Sequence, residues 1–161
     1  MRKSVTELVE EVLAVQTLRA VAYRDLQRAM QSNDVRAIHG TTDAFRELSI
    51  RIIAVMDACD DGNGQLLALQ TVLREMQAYE SDKLRLTVEI QALKTSNVHE
   101  DQDTGIGAEP TCGCGARDGP TKHDVEEALR EAYVAMETCV QSILECMEEL
   151  REMRADMTGD G

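Results

Sequence analysis

The chain has no tryptophan, one phenylalanine and three tyrosines, so aromatics make up 2% of its 161 residues. Sheets favour aromatic and β-branched side chains. With 43% apolar content, the core must instead be built from Leu, Ile, Val, Met and Ala, a palette that suits helix–helix packing. Proline is nearly absent: Pro110 and Pro120 are the two, and they share one segment. A secretory disulfide framework is also missing. The five cysteines (Cys59, Cys112, Cys114, Cys139, Cys146) are odd in number, and the start Met1-Arg2-Lys3-Ser4-Val5-Thr6-Glu7-Leu8 has no apolar signal core. No window approaches the roughly 18 uninterrupted apolar residues a membrane helix needs. The expectation is a soluble protein of a reducing compartment, nucleus or cytoplasm, with no membrane partner.

What is abundant is negative charge, −13 in all at 17.8 kDa. Residues 1–58 are balanced, eight Lys/Arg against eight Asp/Glu, whereas the rest carries nine against twenty-two. An acidic surface repels phosphate backbones and anionic lipid heads. Direct nucleic-acid binding is therefore disfavoured, and a basic protein partner is easier to accommodate.

Hydrophobic periodicity marks four helices. The first opens with the capping-box pattern Ser4-Val5-Thr6-Glu7 and runs to about Gln31, with Val5, Leu8, Val12, Val15, Ala22, Leu26 and Met30 spaced by threes and fours. The second begins near Asp34, carries Ile38, Phe45, Leu48, Ile52, Val55 and Met56 on one side, and ends before Asp60-Asp61-Gly62-Asn63-Gly64. Gly40-Thr41-Thr42 either passes through this helix or breaks it into a turn plus a helix. The third runs from about Gln65 to Thr95. Residues 97–120, with five glycines and both prolines, read as a flexible linker or loop. The fourth starts at Thr121, with Asp124 at the favourable third position. Leu129, Met136, Ile143, Leu150 and Met157 repeat every seven along it, followed three residues later by Ala132, Cys139, Cys146 and Met153. Tyr133, Val140 and Met147 widen that stripe to the breadth of a bundle helix. The expected fold is all-α: an elongated antiparallel helical bundle, coiled-coil-like, of about four helices. Its domains are a helical region over 1–96, the linker over 97–120, and a C-terminal amphipathic helix over 121–158 packed on the same bundle.

Two polar interruptions stand out in these stripes. Gln16, Arg19 and Tyr23 are spaced i, i+3, i+7 on the face that otherwise carries Val12 and Leu26. Glu80, Lys83 and Thr87, with Gln91 beyond, fall where the third helix's apolar stripe should continue. Polar groups buried there need partners. The predicted arrangement is a cross-helix layer in which Arg19 pairs with Glu80 and fixes register. The alternative has both sets facing solvent at the stripe edges.

These segments carry a resemblance. Leu13-Ala14-Val15-Gln16-Thr17-Leu18-Arg19-Ala20-Val21-Ala22-Tyr23, then Thr42-Asp43-Ala44-Phe45 with Leu48-Ser49-Ile50, then Gln77-Ala78-Tyr79-Glu80-Ser81-Asp82-Lys83-Leu84-Arg85-Leu86-Thr87, resemble the Required for Excision, B-type family of small eukaryotic proteins. The third block is the most specific. The resemblance covers about residues 10–95, and the last helix only in general character; Cys112-Gly113-Cys114 is not a family feature. It implies a link to excision of damaged nucleotides; it does not imply a known enzymatic activity and offers no catalytic residues to carry over.

Other chemistry is weakly signalled. Cys112 and Cys114, with His123 nine residues on, are the best metal ligands the chain offers. One thiol pair separated by a single glycine does not match the spacing of closed zinc sites, so no metal or cofactor is expected. Cys139 and Cys146 lie seven apart on the fourth seam and read as fillers of small core holes; a parallel homodimer would bring each against its own copy. Asp57 to Gly64 fails as a calcium loop, having Cys59 at its third position and Ala68 at its twelfth. His39, His99 and His123 accompany no nucleophile or phosphate-loop motif. The expected function is a non-enzymatic accessory role in nucleotide-excision-type DNA repair, through contacts with other proteins, repair factors among them. The competing expectation is a coiled-coil structural or adaptor subunit of a larger assembly with no repair role.

Overall fold

The computed structural model describes residues 3–59, 64–100 and 120–158, the side chains of 97–100 and 158 excepted. Four helices account for nearly all of them: α1 (Val5–Gln31), α2 (Val35–Cys59), α3 (Gly64–Glu100) and α4 (Lys122–Thr158). The chain is all-α. Of the expected 97–120 linker, residues 97–100 continue α3 and Pro120 is non-helical and exposed; residues 101–119 lie outside the described residues.

The helix starts follow the sequence signals closely. At the head of α1, Glu7 N–H donates to Ser4 Oγ at 3.2 Å while Ser4 N–H donates to Glu7 Oε2 at 2.7 Å. Both bonds satisfy backbone donors that the first turn leaves unpaired. α4 repeats the device with an aspartate: Thr121 N–H and hydroxyl donate to Asp124 Oδ2 at 2.8 and 2.7 Å, and Asp124 N–H returns to Thr121 Oγ1 at 3.2 Å. Hydrogen bonds from Ser4 hold the Glu7 carboxyl below its ordinary value, and those from Thr121 do the same for Asp124.

Between α1 and α2 the chain turns in three residues. Asn33 stands at φ 53°, the left-handed region that asparagine tolerates. Its N–H donates to Met30 O at 3.2 Å and that of Asp34 to Ala29 O at 2.9 Å, the bond pair of a Schellman cap. Asp34 then serves α2, its Oδ1 accepting from Ala37 N–H at 3.0 Å. Gly40 does not break α2. The Thr41 and Thr42 hydroxyls bond back to Ala37 O and Ile38 O, at 2.7 and 2.9 Å, and the helix runs on.

The chain divides into two compact units, Met1–Glu80 with Gln141–Gly161, and Ser81–Val140, so α3 and α4 each contribute to both. In the first unit, Tyr23 meets Phe45 edge-on with centroids 4.6 Å apart and Arg19 reaches Ser49. One partner number rises as the other falls, which sets α1 and α2 antiparallel. Gln16 with Met76, then Tyr23 with Glu80, advance together, so α1 and α3 run parallel. The core joins Leu8, Val9, Val12 and Val15 of α1, Leu48, Ile52 and Val55 of α2, Leu69, Leu73 and Met76 of α3, and Cys146 and Leu150 of α4. In the second unit Leu86 and Ile90 of α3 and Val125, Ala132 and Cys139 of α4 are buried. Lys94 Nζ stands 5.4 Å from the centre of the Tyr133 ring, within cation–π range.

Two predictions follow from local geometry. A Cβ at Gly40 would meet nothing within 4 Å, and helix-interior glycine costs about 0.5–1 kcal/mol relative to alanine. Gly40→Ala should therefore raise stability by about that amount in urea denaturation; destabilisation would mean that α2 needs a flexible break there. Second, the carboxyl groups of Glu7 and Asp124 are more acidic folded than unfolded. Their capping contribution is complete above the unfolded values, about pH 4–4.5, and is lost as pH falls through the lowered folded ones. Glu7→Gln with Asp124→Asn should flatten the acid limb of a melting-temperature profile; an unchanged limb would refute the assignment.

Candidate functional site

The polar positions singled out in α1 and at Glu80 of α3 are buried and meet inside the first unit. Gln16, Arg19, Tyr23 and Glu80 are 6, 2, 7 and 7% exposed, so the outcome is a buried layer and not solvent-facing stripe edges. Gln16 Nε2 donates to the Met76 sulfur at 3.1 Å. Tyr23 hydroxyl lies 3.0 Å from Glu80 Oε2 and 3.2 Å from the Glu80 carbonyl, donating to that carboxylate and backbone. Arg19 Nη2 donates to Gln77 Oε1 and, at 3.2 Å, to Ser49 Oγ.

This corrects the expected Arg19–Glu80 pairing. No ion pair joins the two among the described residues; Arg19 binds the amide of Gln77, one helical turn before Glu80, and Tyr23 takes the carboxylate. Charge still couples them through space. Burial pushes the Arg19 guanidinium down from its ordinary value, and the Glu80 carboxylate, with Tyr23, pulls it back up. Arginine remains charged at neutral pH. Arg19 Nη1 has no hydrogen-bond partner among the described residues, an uncommon condition for a buried donor.

Lys83 and Thr87 belong to the second unit. Lys83 is half-buried, while Thr87 is buried and its hydroxyl bonds to Lys83 O at 2.8 Å within α3. Gln77, Ser49 and Gln70 are layer or capping residues that the helical pattern does not reveal. The first two stand inside the blocks that carry the family resemblance, but neither interrupts an apolar stripe. Gln70 is 6% exposed and its Nε2 donates to Met56 O at 3.3 Å, capping a carbonyl at the end of α2.

Of the metal candidates, Cys112 and Cys114 lie outside the described residues. His123 is exposed, with Nδ1 4.0 Å from Glu127 one turn along α4. Cys139 and Cys146 are buried and neither is in a disulfide. Burial, then the charge of Glu149, pushes the Cys146 thiol up, which keeps it protonated and packing as a small apolar group. No helix among the described residues is long and apolar enough to cross a membrane.

The layer makes a quantitative prediction. Tyr23→Phe removes a hydroxyl from a buried carboxylate and should cost about 1–3 kcal/mol. In double-mutant cycles by urea denaturation, coupling between Tyr23→Phe and Glu80→Gln should exceed that between Arg19→Met and Glu80→Gln. The reverse ranking would restore a direct ion pair.

Against known proteins, residues 7–94 match the family described as DNA repair REX1-B. No curated protein and no solved structure matches the chain. The matched stretch is more than half of the sequence and contains the described core of α1, all of α2 and the layer residues of α3, so the chain belongs to the DNA repair REX1-B family.

Proposed function

We propose that the protein is a non-enzymatic accessory factor in nucleotide-excision-type DNA repair that works through contacts with other proteins. Family membership over residues 7–94 carries this reading, since the link to repair comes with the family. The manner of working is argued from the side chains. Within that stretch Gln16, Arg19, Tyr23, Gln77 and Glu80 bind one another or a neighbouring helix, so their part is to set helix register. Lys83 and Thr87, on the same helix, continue the polar run.

Contacts with partners then fall to exposed side chains. Ile50 and Ile53, 58 and 50% exposed, are one turn apart on α2. They offer the apolar anchors of a helix-face interaction. The charge of −13 opposes docking on a phosphate backbone, and work among repair factors would call for the protein in the nucleus, with the cytoplasm as its other expected location.

Removing the protein from cells should raise sensitivity to ultraviolet damage several-fold, and the wild-type chain should restore resistance. Ile50→Asp with Ile53→Asp, checked for unchanged helicity and melting, should fail to restore it. Undiminished resistance on removal would refute the repair role and leave the protein as a structural adaptor. Full rescue by the double variant would place the contact surface elsewhere.

A further inference from the structure

One end of the first unit holds a feature that the buried layer leaves unexplained. Val5 opens α1, Gln65 and Ala68 open α3, and Met153, Asp156 and Met157 close α4; together they line a partly open cleft of about 110 Å³. Its size limits its occupant. Sites for drug-sized ligands run to roughly 300–1,000 Å³, whereas an apolar cavity of roughly 150 Å³ holds a benzene-sized group. This cleft takes a single side chain.

Its chemistry is two-sided. The walls are the apolar side chains of Val5, Ala68, Met153 and Met157, two of them methionines able to adapt to an incoming group. Asp156 and Gln65 supply oxygen acceptors. A side chain with an apolar stem and a cationic, multiply donating tip satisfies both, which describes arginine.

The surface beside the cleft carries matching charge. Glu145, Glu148, Glu149, Glu152 and Asp156 are all exposed on the last turns of α4. Glu145 with Glu149, Glu148 with Glu152, and Glu152 with Asp156 are like charges four residues apart, an arrangement that opposes helix stability. Arg151 pairs with Glu148 at 3.0 Å and offsets part of it. α4 has no basic residue in its last turn, where its dipole would favour one. Glu145 also accepts from Gln141 Nε2 at 3.2 Å within the helix, but the acids still outnumber the bases along this face, and a cationic partner would relieve the excess.

We propose that this cleft and the acidic face of α4 form a docking site for a basic segment of a partner protein. One arginine inserts between Met153 and Met157 to reach Asp156, and flanking cations lie along Glu148, Glu149 and Glu152. The proposal deepens the protein-contact reading above by giving the partner's chemistry, and it rests on that reading only for its place in the cell.

The test titrates a short fluorescein-labelled peptide of alternating arginine and serine with the full chain, followed by anisotropy. It is run at physiological ionic strength, where screening over about 8 Å suppresses distant charges. Saturable binding is expected, weakened about tenfold by Asp156→Asn and equally by Ala68→Leu, which fills the cleft from an exposed position. Glu131→Gln removes one exposed carboxylate of α4 away from the cleft and should change affinity by less than about twofold.

Absence of saturable binding overturns the proposal. So does equal loss with Asp156→Asn and Glu131→Gln, which would reduce the effect to bulk charge. Loss of self-association in the cleft variants, seen by sedimentation without peptide binding, would make a second copy the occupant and overturn it too. Asp156→Asn is isosteric at an exposed site, so the comparison holds even if Ala68→Leu fails to fold. The titration uses purified protein, and its failure leaves the damage-sensitivity result untouched.

Discussion

Arg19 is the constraint around which the first unit is arranged. A guanidinium that is 2% exposed must bring its own solvation with it, and two neighbouring helices supply it, through Ser49 of α2 and Gln77 of α3. The bonds work only at one relative height of the helices. Sliding α3 by one turn in its C-terminal direction would set Leu73 against Arg19 and Met76 against Tyr23, leaving both polar groups without their α3 partners. An all-aliphatic seam of Val, Leu and Met would tolerate such a slip far better. The polar layer thus restricts a chain otherwise rich in interchangeable apolar residues to one alignment, the use of buried polar groups that is best attested in coiled coils.

Much of this could be read from the residues, and the successes share a cause. Capping boxes at Ser4 and Thr121, the seam of α4 and the polar interruptions at Gln16, Arg19, Tyr23 and Glu80 are all decided within a turn or two of chain. Burial of those interruptions followed, because a stripe that turns polar still faces the same way. The choice of partner did not follow. Gln77 and Glu80 are three residues apart and share a face, so spacing cannot say which of them meets Arg19 and which meets Tyr23. That depends on the rotation and height of a second helix, which no single-helix pattern contains. Gly40 was ambiguous for the opposite reason. Local propensity argues for a break, yet α2 runs through it to the buried Phe45 and Leu48, which pack in the first unit beyond the exposed first turns.

The acidic excess separates the two kinds of work in the molecule. The balanced N-terminal part supplies α1 and α2, whose ionic groups pair across the hairpin. Arg51 Nη2 sits 2.6 Å from Glu11, and Lys3 is 3.7 Å from the same carboxylate. Arg51's hydrogen bond holds that carboxyl below its ordinary value. On the last turns of α4, by contrast, acids outnumber bases. The like charges there oppose the helix that carries them and give its surface a negative field.

Tyr23 gives the layer an optical signature. The chain has no tryptophan and only three tyrosines, of which Tyr133 is largely exposed and Tyr79 only half-buried. Tyr23 is clamped between the Phe45 ring and the Glu80 carboxylate. A ring immobilised in asymmetric surroundings gives near-ultraviolet circular dichroism, a signal that vanishes when specific packing is lost while helices persist. Near-ultraviolet ellipticity therefore reports chiefly on the register-setting layer, while far-ultraviolet ellipticity reports on the helices, and the two can be followed separately without adding a label.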